Sequence, residues 1–225
     1  MSTLKRNAST ALLGEQDRLR LEAGVEHLKL TLNPAQLDSL FAYAKLIEKW
    51  NRVYNLTAIR SANEVITHHL LDSLAVVSKV DAVLEGYETP RVLDVGAGAG
   101  LPGLVWAIAR PHWQITLIDT VQKKAAFMQQ AAASLGLGNA RAIHDRVESF
   151  QAERPFDLIT SRAFSSLTLL IDLSQHLLAE NGHYAALKGR VEVDQAVPNA
   201  WRIHAIHPIE VPFLDESRHL FVISR

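Results

Sequence analysis

The sequence predicts an α/β fold, in which a mostly parallel seven-stranded sheet carries helices on both faces and follows a helical N-terminal part. Two observations predict it. From Arg91 onward, short apolar segments alternate with stretches of helical periodicity, the pattern of a parallel sheet covered by helices. Before about residue 80, apolar residues recur at helical spacing. We therefore expect a helical extension at residues 1–80 and an α/β domain at residues 81–225, joined as one compact unit.

The helical extension contains two clear helix starts. Residues 1–20 are polar and weakly patterned, as in a loose or partly helical arm. Asn33 followed by Pro34 predicts a helix start, because asparagine caps a first turn in which proline is tolerated, and apolar residues then recur up to Trp50. Residues 61–64, Ser-Ala-Asn-Glu, form a capping box for a second helix, which we expect to run to about Lys79.

The α/β domain is expected to contain seven strands and up to four helices. The predicted strands are residues 91–95, 114–118, 140–144, 156–161, 183–188, 202–210 and 219–224, and the predicted helices are residues 101–110, 121–135, 165–179 and 191–199. Pro111 ends the first of these helices, and Gly136 can cap the second. Only a turn around residues 214–217 separates the last two strands, which predicts a terminal hairpin with one strand antiparallel to the rest.

Composition limits the classes of protein to which the chain can belong. The hydrophobic fraction of 48% is ample for a buried core, yet no apolar run approaches the ~20 residues of a membrane span. The first 20 residues lack the apolar core of a secretory signal. The absence of cysteine excludes disulfides and thiolate metal sites and fits a cytoplasmic location. A net charge of −1 gives no global basic field, so any surface for RNA must be a local patch.

The most informative segment is a glycine-rich turn that follows a predicted buried strand. Gly96, Gly98 and Gly100 come directly after Asp94, and the glycines can leave bare backbone against which a bulky ligand lies. A dinucleotide fingerprint needs its third glycine at position 101, which is Leu101. The Asp94 carboxylate would repel a pyrophosphate but suits a cationic sulfonium and amino group. The segment therefore favours S-adenosylmethionine (SAM) over NAD. An ordinary strand-to-helix turn and an NAD-dependent or non-enzymatic Rossmann protein are the alternatives.

Two further positions follow neighbouring predicted strands. Asp119 ends the second strand about 20 residues after the glycine turn, where an acid can accept hydrogen bonds from both ribose hydroxyls. It could equally cap the next helix. Val147 and Glu148 follow the third strand, where an apolar side chain can pack on adenine while nearby backbone groups read its edge. The alternative for these two is a core valine beside a solvated charge.

Basic residues follow the fourth and fifth strands. Arg162 ends a central strand, where a buried guanidinium needs an anionic or planar partner. It could pair with the cofactor carboxylate or stack on a substrate base, and the alternative is a salt bridge to Asp94 or Glu148. Lys188 and Arg190 would add positive potential for a phosphate, although such residues are more often surface charges.

A second group of candidate residues lies upstream, in a segment that we expect to be a loop. Asn51, Arg52, Tyr54 and Asn55 combine amide, basic and aromatic side chains, which suit contacts with unpaired bases and phosphates. Composition alone favours a helix C-terminus followed by a packed loop. The nearby sequence 68–72, His-His-Leu-Leu-Asp, could suggest a metal site, but adjacent histidines on a helix point in different directions. We expect no metal.

Several motifs in order along the chain resemble one known family. They are Trp50-Asn51 with Tyr54-Asn55-Leu56-Thr57, His69-Leu70-Leu71-Asp72-Ser73, Asp94-Val95-Gly96 through Gly100-Leu101-Pro102-Gly103, Ser161-Arg162-Ala163-Phe164, and Ala186-Leu187-Lys188-Gly189. Together they resemble the methyltransferase G family of the bacterial ribosomal small subunit, also called glucose-inhibited division protein B. The motifs span about Trp50 to Arg190 and continue to the closing Arg218-His219-Leu220, while residues before about Ala35 match none.

The resemblance implies a Rossmann-like, class I SAM-dependent methyltransferase that modifies N7 of one guanosine in 16S ribosomal RNA, conventionally numbered 527. It implies cofactor contacts at Gly96, Leu101, Val147-Glu148 and Arg162, and a substrate presented within the small ribosomal subunit or its precursor. No membrane partner is expected.

This chemistry fits the residues. Guanine N7 carries a lone pair, so transfer needs alignment rather than a general base, and Arg162 is the candidate positioning residue. Ser161-Arg162-Ala163-Phe164 stands where enzymes that methylate exocyclic amines usually have Asn/Asp-Pro-Pro-aromatic. The absence of cysteine argues against methylation at pyrimidine C5. A SAM methyltransferase for a small molecule is the alternative.

Overall fold

A computed structural model describes residues 13–57, 59, 61–162, 164, 166–189 and 196–225. In this part of the chain, seven strands form one sheet in the order β3-β2-β1-β4-β5-β7-β6. The strands are β1 Arg91–Val95, β2 Gln114–Asp119, β3 Ala140–His144, β4 Phe156–Ser161, β5 Leu178–Lys188, β6 Arg202–Ile209 and β7 Arg218–Ser224. β7 runs antiparallel to both of its neighbours, and the pairs among β1 to β5 are parallel. The predicted sheet and terminal hairpin are confirmed.

The helices that precede the sheet are longer and less regular than the sequence predicts. They are α1 Glu15–His27, α2 Pro34–Tyr54, α3 Ala62–Glu64, a π-helix Val65–Leu71, α4 Asp72–Leu74 and α5 Val77–Val83. Asn33 caps α2 as expected, because its side chain accepts a hydrogen bond from Gln36 N at 2.9 Å. The expectation of a single helix from Ser61 to Lys79 is wrong, because the chain widens into the π-helix and turns before Val77.

The end of α2 also differs from the prediction. The segment from Asn51 to Tyr54 was expected to be a loop, but it forms the last turn of the helix, which is the alternative that composition alone favoured. Asn55 then ends the helix in the left-handed conformation, with φ of 50°, and its N–H donates to Asn51 O. Asparagine tolerates this conformation better than most residues, so the helix end is set by Asn55 rather than by the polar residues before it.

The helices within the α/β domain are α6 Gly103–Ala109, α7 Gln122–Ser134 and α8 Leu167–Ser174, followed by a 3₁₀ turn Gln175–Leu177. The predicted helix 165–179 is too long, since Leu178 already pairs with Phe156 of β4 at the start of β5. Residues 191–195 of the predicted helix 191–199 lie outside the described residues, and residues 196–199 are not helical. In the part of the chain that is described, no helix is long and apolar enough to cross a membrane.

Two apolar layers enclose the sheet. One contains Leu93 and Ile159 of the central strands together with Leu167 and Ile171 of α8. The other is shared by the N-terminal helices and the helices α6 and α7, and its members include Leu21, Leu40, Ile47, Leu70, Trp106, Leu117 and Phe127. Trp106 also donates a hydrogen bond from Nε1 to Ser73 O at 2.8 Å. The helical extension therefore packs directly on one face of the α/β domain, and the division at residue 80 stays a prediction.

Candidate active site

The glycine turn lies at the edge of the sheet where the parallel strands end, which we call the C-terminal edge. Gly96, Gly98 and Gly100 all have positive φ angles, of 68°, 60° and 83°. A Cβ at Gly96 or Gly98 would meet no heavy atom closer than 3.7 Å, whereas one at Gly100 would lie 2.6 Å from Leu104 Cδ1. Two of the three glycines therefore leave open backbone. The third is required by packing against α6, which corrects the expectation that all three clear space for a ligand.

A cavity of about 390 Å³ opens beside Gly96, and we call it the cofactor cavity. Its lining residues are Val95, Gly96, Ile118, Asp119, Thr120, Val121, Lys124, Asp145, Arg146, Val147, Glu148, Phe164 and Leu173. The structure thus brings together four predicted residues, Gly96, Asp119, Val147 and Glu148. The Leu101 side chain lies elsewhere, in the core beneath the turn, where it is 3% exposed.

Asp119 ties the glycine turn to the second strand. Its Oδ2 accepts a hydrogen bond from Gly98 N at 2.9 Å, and its Oδ1 accepts one from Val121 N at 2.8 Å. The helix α7 has Val121 as its N-cap, so Asp119 closes the turn before the helix rather than capping the helix itself. Each carboxylate oxygen has a further lone pair, so Asp119 can hold the turn and also accept hydrogen bonds from a ligand in the cavity.

Asp94 lies completely buried under the same turn. Its Oδ2 accepts a hydrogen bond from Gly103 N at 2.8 Å, and its Oδ1 has no hydrogen-bond partner among the described residues. Burial raises the pKa of Asp94 to about 7, although the Gly103 N–H and the positive charge of Arg162 act in the opposite direction. An incompletely paired acid beneath open backbone fits a cationic ligand such as SAM better than a pyrophosphate.

Glu148 and Val147 occupy the far side of the cofactor cavity. Val147 is 6% exposed and belongs to the core layer shared with α8, so its side chain presents an apolar wall. Glu148 accepts a hydrogen bond from Arg146 Nε at 2.6 Å. A hydrogen bond from its own backbone, followed by the Arg146 contact, lowers the pKa of Glu148, so this residue is ionised at neutral pH.

Arg162 points into a second cavity, of about 340 Å³, which shares no lining residue with the first. Its Nη1 donates to His68 O at 2.9 Å and lies 3.4 Å from Asp72 Oδ2, and its Nη2 lies 3.4 Å from His69 Nδ1. Its ion-pair partner is therefore Asp72, and the alternative of a bridge to Asp94 or Glu148 is wrong. His68 and His69 belong to the π-helix, and Asp72 is the first residue after it.

His69 is a buried, neutral link between Arg162 and the segment after α2. Burial, together with the nearby guanidinium, lowers the pKa of His69 to about 3. The ring is therefore neutral at pH 7, with Nδ1 accepting from Arg162. Nε2 then carries the hydrogen and donates to Thr57 Oγ1 at 3.0 Å. Asn51 holds Thr57 in turn, because its Oδ1 accepts from Thr57 N at 2.9 Å.

The contact between Asp72 and Arg218 was not predicted. Asp72 was considered as a metal ligand and as part of a family motif, yet its Oδ1 accepts a hydrogen bond from Arg218 Nε at 2.8 Å. The two residues lie 146 positions apart, so no local spacing could reveal the pair. Among the described residues, no group of three or more His, Asp or Glu is arranged to hold a metal ion.

The predicted RNA-binding residues have diverse surroundings. The amide of Asn51 is occupied within the protein, since it also donates to Ile59 O at 2.8 Å. Arg52 pairs with Glu48 at 3.0 Å on the surface of α2. Tyr54 is 42% exposed, and its ring lies 5.0 Å from that of Trp50. Lys188 donates to Phe164 O at 2.5 Å and lines the second cavity. Arg190 lies outside the described residues.

Solved structures with the same sheet define the class of the fold. TrmN from Thermus thermophilus is 17% identical with a TM-score of 0.53, covering 71% of this chain and 53% of its own. The N-methyltransferase NodS from Bradyrhizobium japonicum WM9 is 15% identical with a TM-score of 0.52, covering 68% of this chain and 95% of its own. This chain spans about half the length of TrmN. The fold is the Rossmann-like fold of class I SAM-dependent methyltransferases, as the sequence predicted.

Sequence comparison then assigns the family. The sequence model described as GidB, rRNA small subunit methyltransferase G, matches residues 36–221. The ribosomal RNA small subunit methyltransferase G of Azoarcus sp. (strain BH72) is 48% identical over 92% of this chain and 95% of its own length. That of Ralstonia nicotianae is 46% identical over 96% and 98%.

The chain therefore belongs to the rRNA small subunit methyltransferase G family. This confirms the resemblance found in the motifs, and with it SAM as the cofactor that this family and fold class use.

Proposed function

We propose that this chain transfers the methyl group of SAM to N7 of guanosine 527 in 16S ribosomal RNA, within the small ribosomal subunit or its precursor in the cytoplasm. One observation carries the proposal: a cavity suited to the cofactor and a cationic cavity around Arg162 adjoin at the C-terminal edge, where Lys188 of the second donates to the Phe164 carbonyl of the first. In open α/β sheets, ligands bind beyond the carboxyl ends of the strands. The family to which the chain belongs supports an rRNA substrate.

The cofactor would be held by main chain and by a few side chains of the cofactor cavity. The open backbone at Gly96 and Gly98 allows close approach, while Gly100 and Leu101 shape the turn from beneath. Asp119 would accept hydrogen bonds from the ribose, and Val147 would pack on the adenine beside Glu148. When bound, SAM supplies an electrophilic methyl group.

Asp94 would favour the cationic end of the cofactor. Its carboxyl group is fully buried below the turn and has one oxygen without a partner in the described part of the chain. A positive charge nearby stabilises the ionised form of such a group, so binding of the cofactor and ionisation of Asp94 would support each other. This coupling adds affinity for a sulfonium or ammonium group without any movement of the turn.

Arg162 would act by positioning, because guanine N7 needs no general base. Its guanidinium is fixed by the His68 carbonyl, His69 and Asp72, and the side chain retains 25% exposure. A planar guanidinium held this firmly can donate hydrogen bonds to the guanine or to the cofactor carboxylate, or stack on the base. Rate enhancement would then come from aligning N7, the methyl carbon and sulfur, and no residue of the chain has to remove a proton.

The surface around the end of α2 would meet the RNA. Tyr54 offers an exposed ring for stacking, Arg52 a surface guanidinium, and Asn55 a position on the same helix end. Asn51 would act indirectly, by holding the segment that carries Thr57. The net charge of −1 favours a substrate presented by a folded ribosomal particle, since strong electrostatic capture of free RNA needs a basic protein.

The proposal is tested by methylating small ribosomal subunits from bacteria that lack this modification. Purified subunits, naked 16S RNA and an extract of small metabolites are each incubated with the protein and methyl-labelled SAM, and the product is mapped. Label at N7 of guanosine 527 supports the proposal. Label at another nucleotide would overturn the assigned position, and label confined to the metabolite fraction would favour the small-molecule alternative.

A further inference from the structure

The cavity around Arg162 concentrates positive charge from three separate strands. We call it the arginine cavity, and its lining residues are Ile59, His68, His69, Asp72, Arg162, Leu187, Lys188, Gly189 and Arg218. Arg162 follows β4, Lys188 ends β5, and Arg218 begins β7, which is antiparallel and therefore starts at the C-terminal edge. The lining holds three cationic side chains and one carboxylate, so its charge is positive.

A single buried carboxylate orients both arginines. Asp72 is 5% exposed, its Oδ1 accepts from Arg218 Nε at 2.8 Å, and its Oδ2 lies 3.4 Å from Arg162 Nη1. The two guanidinium side chains keep exposures of 25% and 22%. Arg218 also donates from Nη1 to Ser217 O at 3.0 Å and from Nη2 to Glu216, and Arg162 is held through both Nη1 and Nη2. Each Nη carries two hydrogens, so Nη1 and Nη2 of Arg218 and Nη2 of Arg162 have a second N–H for a ligand. Buried ion pairs contribute little net stability, so this arrangement is better explained by the orientation it gives.

The remaining lining residues add shape but no opposing charge. His69 is neutral near pH 7 and accepts a hydrogen bond from Arg162, which fixes the guanidinium further. Leu187 is 6% exposed and supplies an apolar wall. Glu216 lies outside the lining and pairs with Arg218 Nη2 at 2.9 Å from an exposed position. A small anion with several acceptor oxygens matches such a cavity, because guanidinium groups bind phosphate oxygens through paired N–H donors.

We propose that the arginine cavity binds a phosphate group of the RNA next to the methylated guanosine, with Arg218 as a phosphate-binding residue and Asp72 as its positioning residue. The proposal rests on the proposed function, which makes RNA the substrate. Lys188 of the arginine cavity donates to the carbonyl of Phe164, which lines the cofactor cavity, so a phosphodiester bound here would lie beside the cofactor. The carboxylate of the cofactor is the other anion that could occupy this cavity. If Arg218 bound that carboxylate, removing Arg218 would weaken the binding of SAM.

The first test compares Arg218→Gln with Arg202→Gln, which removes the same charge at an exposed position on the opposite edge of the sheet. KM and kcat are measured for unmethylated small subunits. We expect Arg218→Gln to raise KM about tenfold with kcat largely kept, the loss typical of one charge-assisted hydrogen bond. Arg218→Lys should recover part of it. A KM equal to that of Arg202→Gln would overturn the phosphate site.

The second test needs no turnover. Calorimetry compares guanosine 5′-monophosphate with guanosine as ligands of the protein loaded with S-adenosylhomocysteine. We expect the monophosphate to bind the unmodified protein more tightly, and Arg218→Gln to remove that difference without changing affinity for S-adenosylhomocysteine. Equal binding of the two ligands by the unmodified protein would overturn the proposal. A loss of S-adenosylhomocysteine binding in Arg218→Gln would assign the arginine to the cofactor carboxylate instead.

Asp72→Asn separates orientation from charge. Removing this carboxylate makes the cavity more positive, so a purely electrostatic site would bind the monophosphate more tightly. A site that depends on orientation would bind it more weakly, which is the result we expect. Retained S-adenosylhomocysteine binding shows that the variant is folded. Tighter monophosphate binding would refute the role of Asp72, and small subunits left unmethylated by the unmodified protein would refute the proposed function alone.

Discussion

Arg162 is the lining residue of the arginine cavity that several protein groups hold at once. Its guanidinium donates to the His68 carbonyl and contacts His69 and Asp72, while its positive charge also reaches Asp94 beneath the glycine turn. A side chain fixed from three directions keeps one orientation without a ligand, so little order has to be imposed when substrate binds. Its effect on catalysis should therefore exceed its effect on stability.

We predict that Arg162→Ala abolishes methyl transfer while the protein stays folded. Loss of a preorganised donor typically lowers kcat by about 100-fold or more. Single-turnover methylation of small subunits measures the loss, and circular dichroism with S-adenosylhomocysteine calorimetry reports folding. Arg202→Ala is the control with the same change at an exposed position. Near-normal turnover in Arg162→Ala would remove this residue from the site.

The buried Asp94 predicts a pH dependence of stability. Its pKa is about 7 in the folded protein and 3.8 in the reference state, so the folded form binds the extra proton between these values. Because of this raised pKa, Asp94 contributes most to the stability of the protein below about pH 4. This contribution decreases as pH rises from 4 to 7 and does not change further at higher pH. The difference corresponds to about 4 kcal/mol as an upper estimate.

Urea unfolding at several pH values tests this prediction. Asp94→Asn keeps an acceptor for Gly103 N but cannot ionise. We expect the stability difference between Asp94→Asn and the unmodified protein to change in favour of the variant as pH rises from 4 to 7. Other titrating groups, such as His69, are common to both proteins and cancel. A difference independent of pH would contradict the raised pKa of Asp94.

At the scale of elements, the glycines of the turn have different roles: some leave space for a ligand, and one is needed for packing. An alanine at Gly100 would meet Leu104 at 2.6 Å and carry a φ of 83°, whereas one at Gly98 would carry a φ of 60° in open space. Positive φ costs a non-glycine residue about 1–2 kcal/mol, and overpacking adds about 1–3 kcal/mol. Alanine at Gly100 should therefore cause both backbone strain and overpacking, whereas alanine at Gly98 should cause backbone strain alone.

We expect Gly100→Ala to lower the free energy of unfolding more than Gly98→Ala does. Gly98→Ala should instead weaken S-adenosylhomocysteine binding, since the new methyl group enters the space beside the cofactor cavity. Chemical denaturation and calorimetry on the two variants give both quantities. Equal loss of stability, with equal binding, would show that both glycines serve packing.

The sequence predicted elements whose signals are local. Capping at Asn33, the strand ends at Val95 and Asp119, and the terminal hairpin all follow from neighbouring residues, and the structure has them where expected. The π-helix Val65–Leu71 could not be predicted, because its apolar residues repeat much as in an α-helix and its contacts with Arg162 exist only in the folded chain.

The candidate site was predictable to the same extent. The rule that ligands bind beyond strand ends led to Asp119, Val147 and Arg162, and the first two line the cofactor cavity. The Asp72–Arg218 pair joins a helix before the sheet to the last strand, so it exists only once the chain has folded. The loop expected at Asn51–Tyr54 was wrong because Asn55 sets the end of the helix.

At the scale of the whole molecule, the helical extension and the sheet share one core layer. Leu70 of the π-helix is completely buried in the same layer as Trp106 of α6, and Trp106 bonds to the Ser73 carbonyl. Unfolding of the extension alone would expose one entire face of α6, which is buried over its whole length. The two parts should therefore lose their structure together.

We predict that Leu70→Ala lowers the stability of the whole protein by about 2–5 kcal/mol in a single cooperative transition. Far-UV circular dichroism and tryptophan fluorescence during urea unfolding should then give the same midpoint. Leu169→Ala on α8, where the leucine is 42% exposed, is the control and should change little. Two separate transitions would show that residues 1–80 and 81–225 fold independently.

The sharing of one carboxylate by two arginines has a genetic consequence. Mutations at Asp72, Arg162 and Arg218 should show epistasis, because each alters the charge that the others experience. Loss of the aspartate leaves Arg218 with Glu216 as its remaining ion-pair partner, so the effect of a second mutation at Arg162 or Arg218 should depend on whether Asp72 is present.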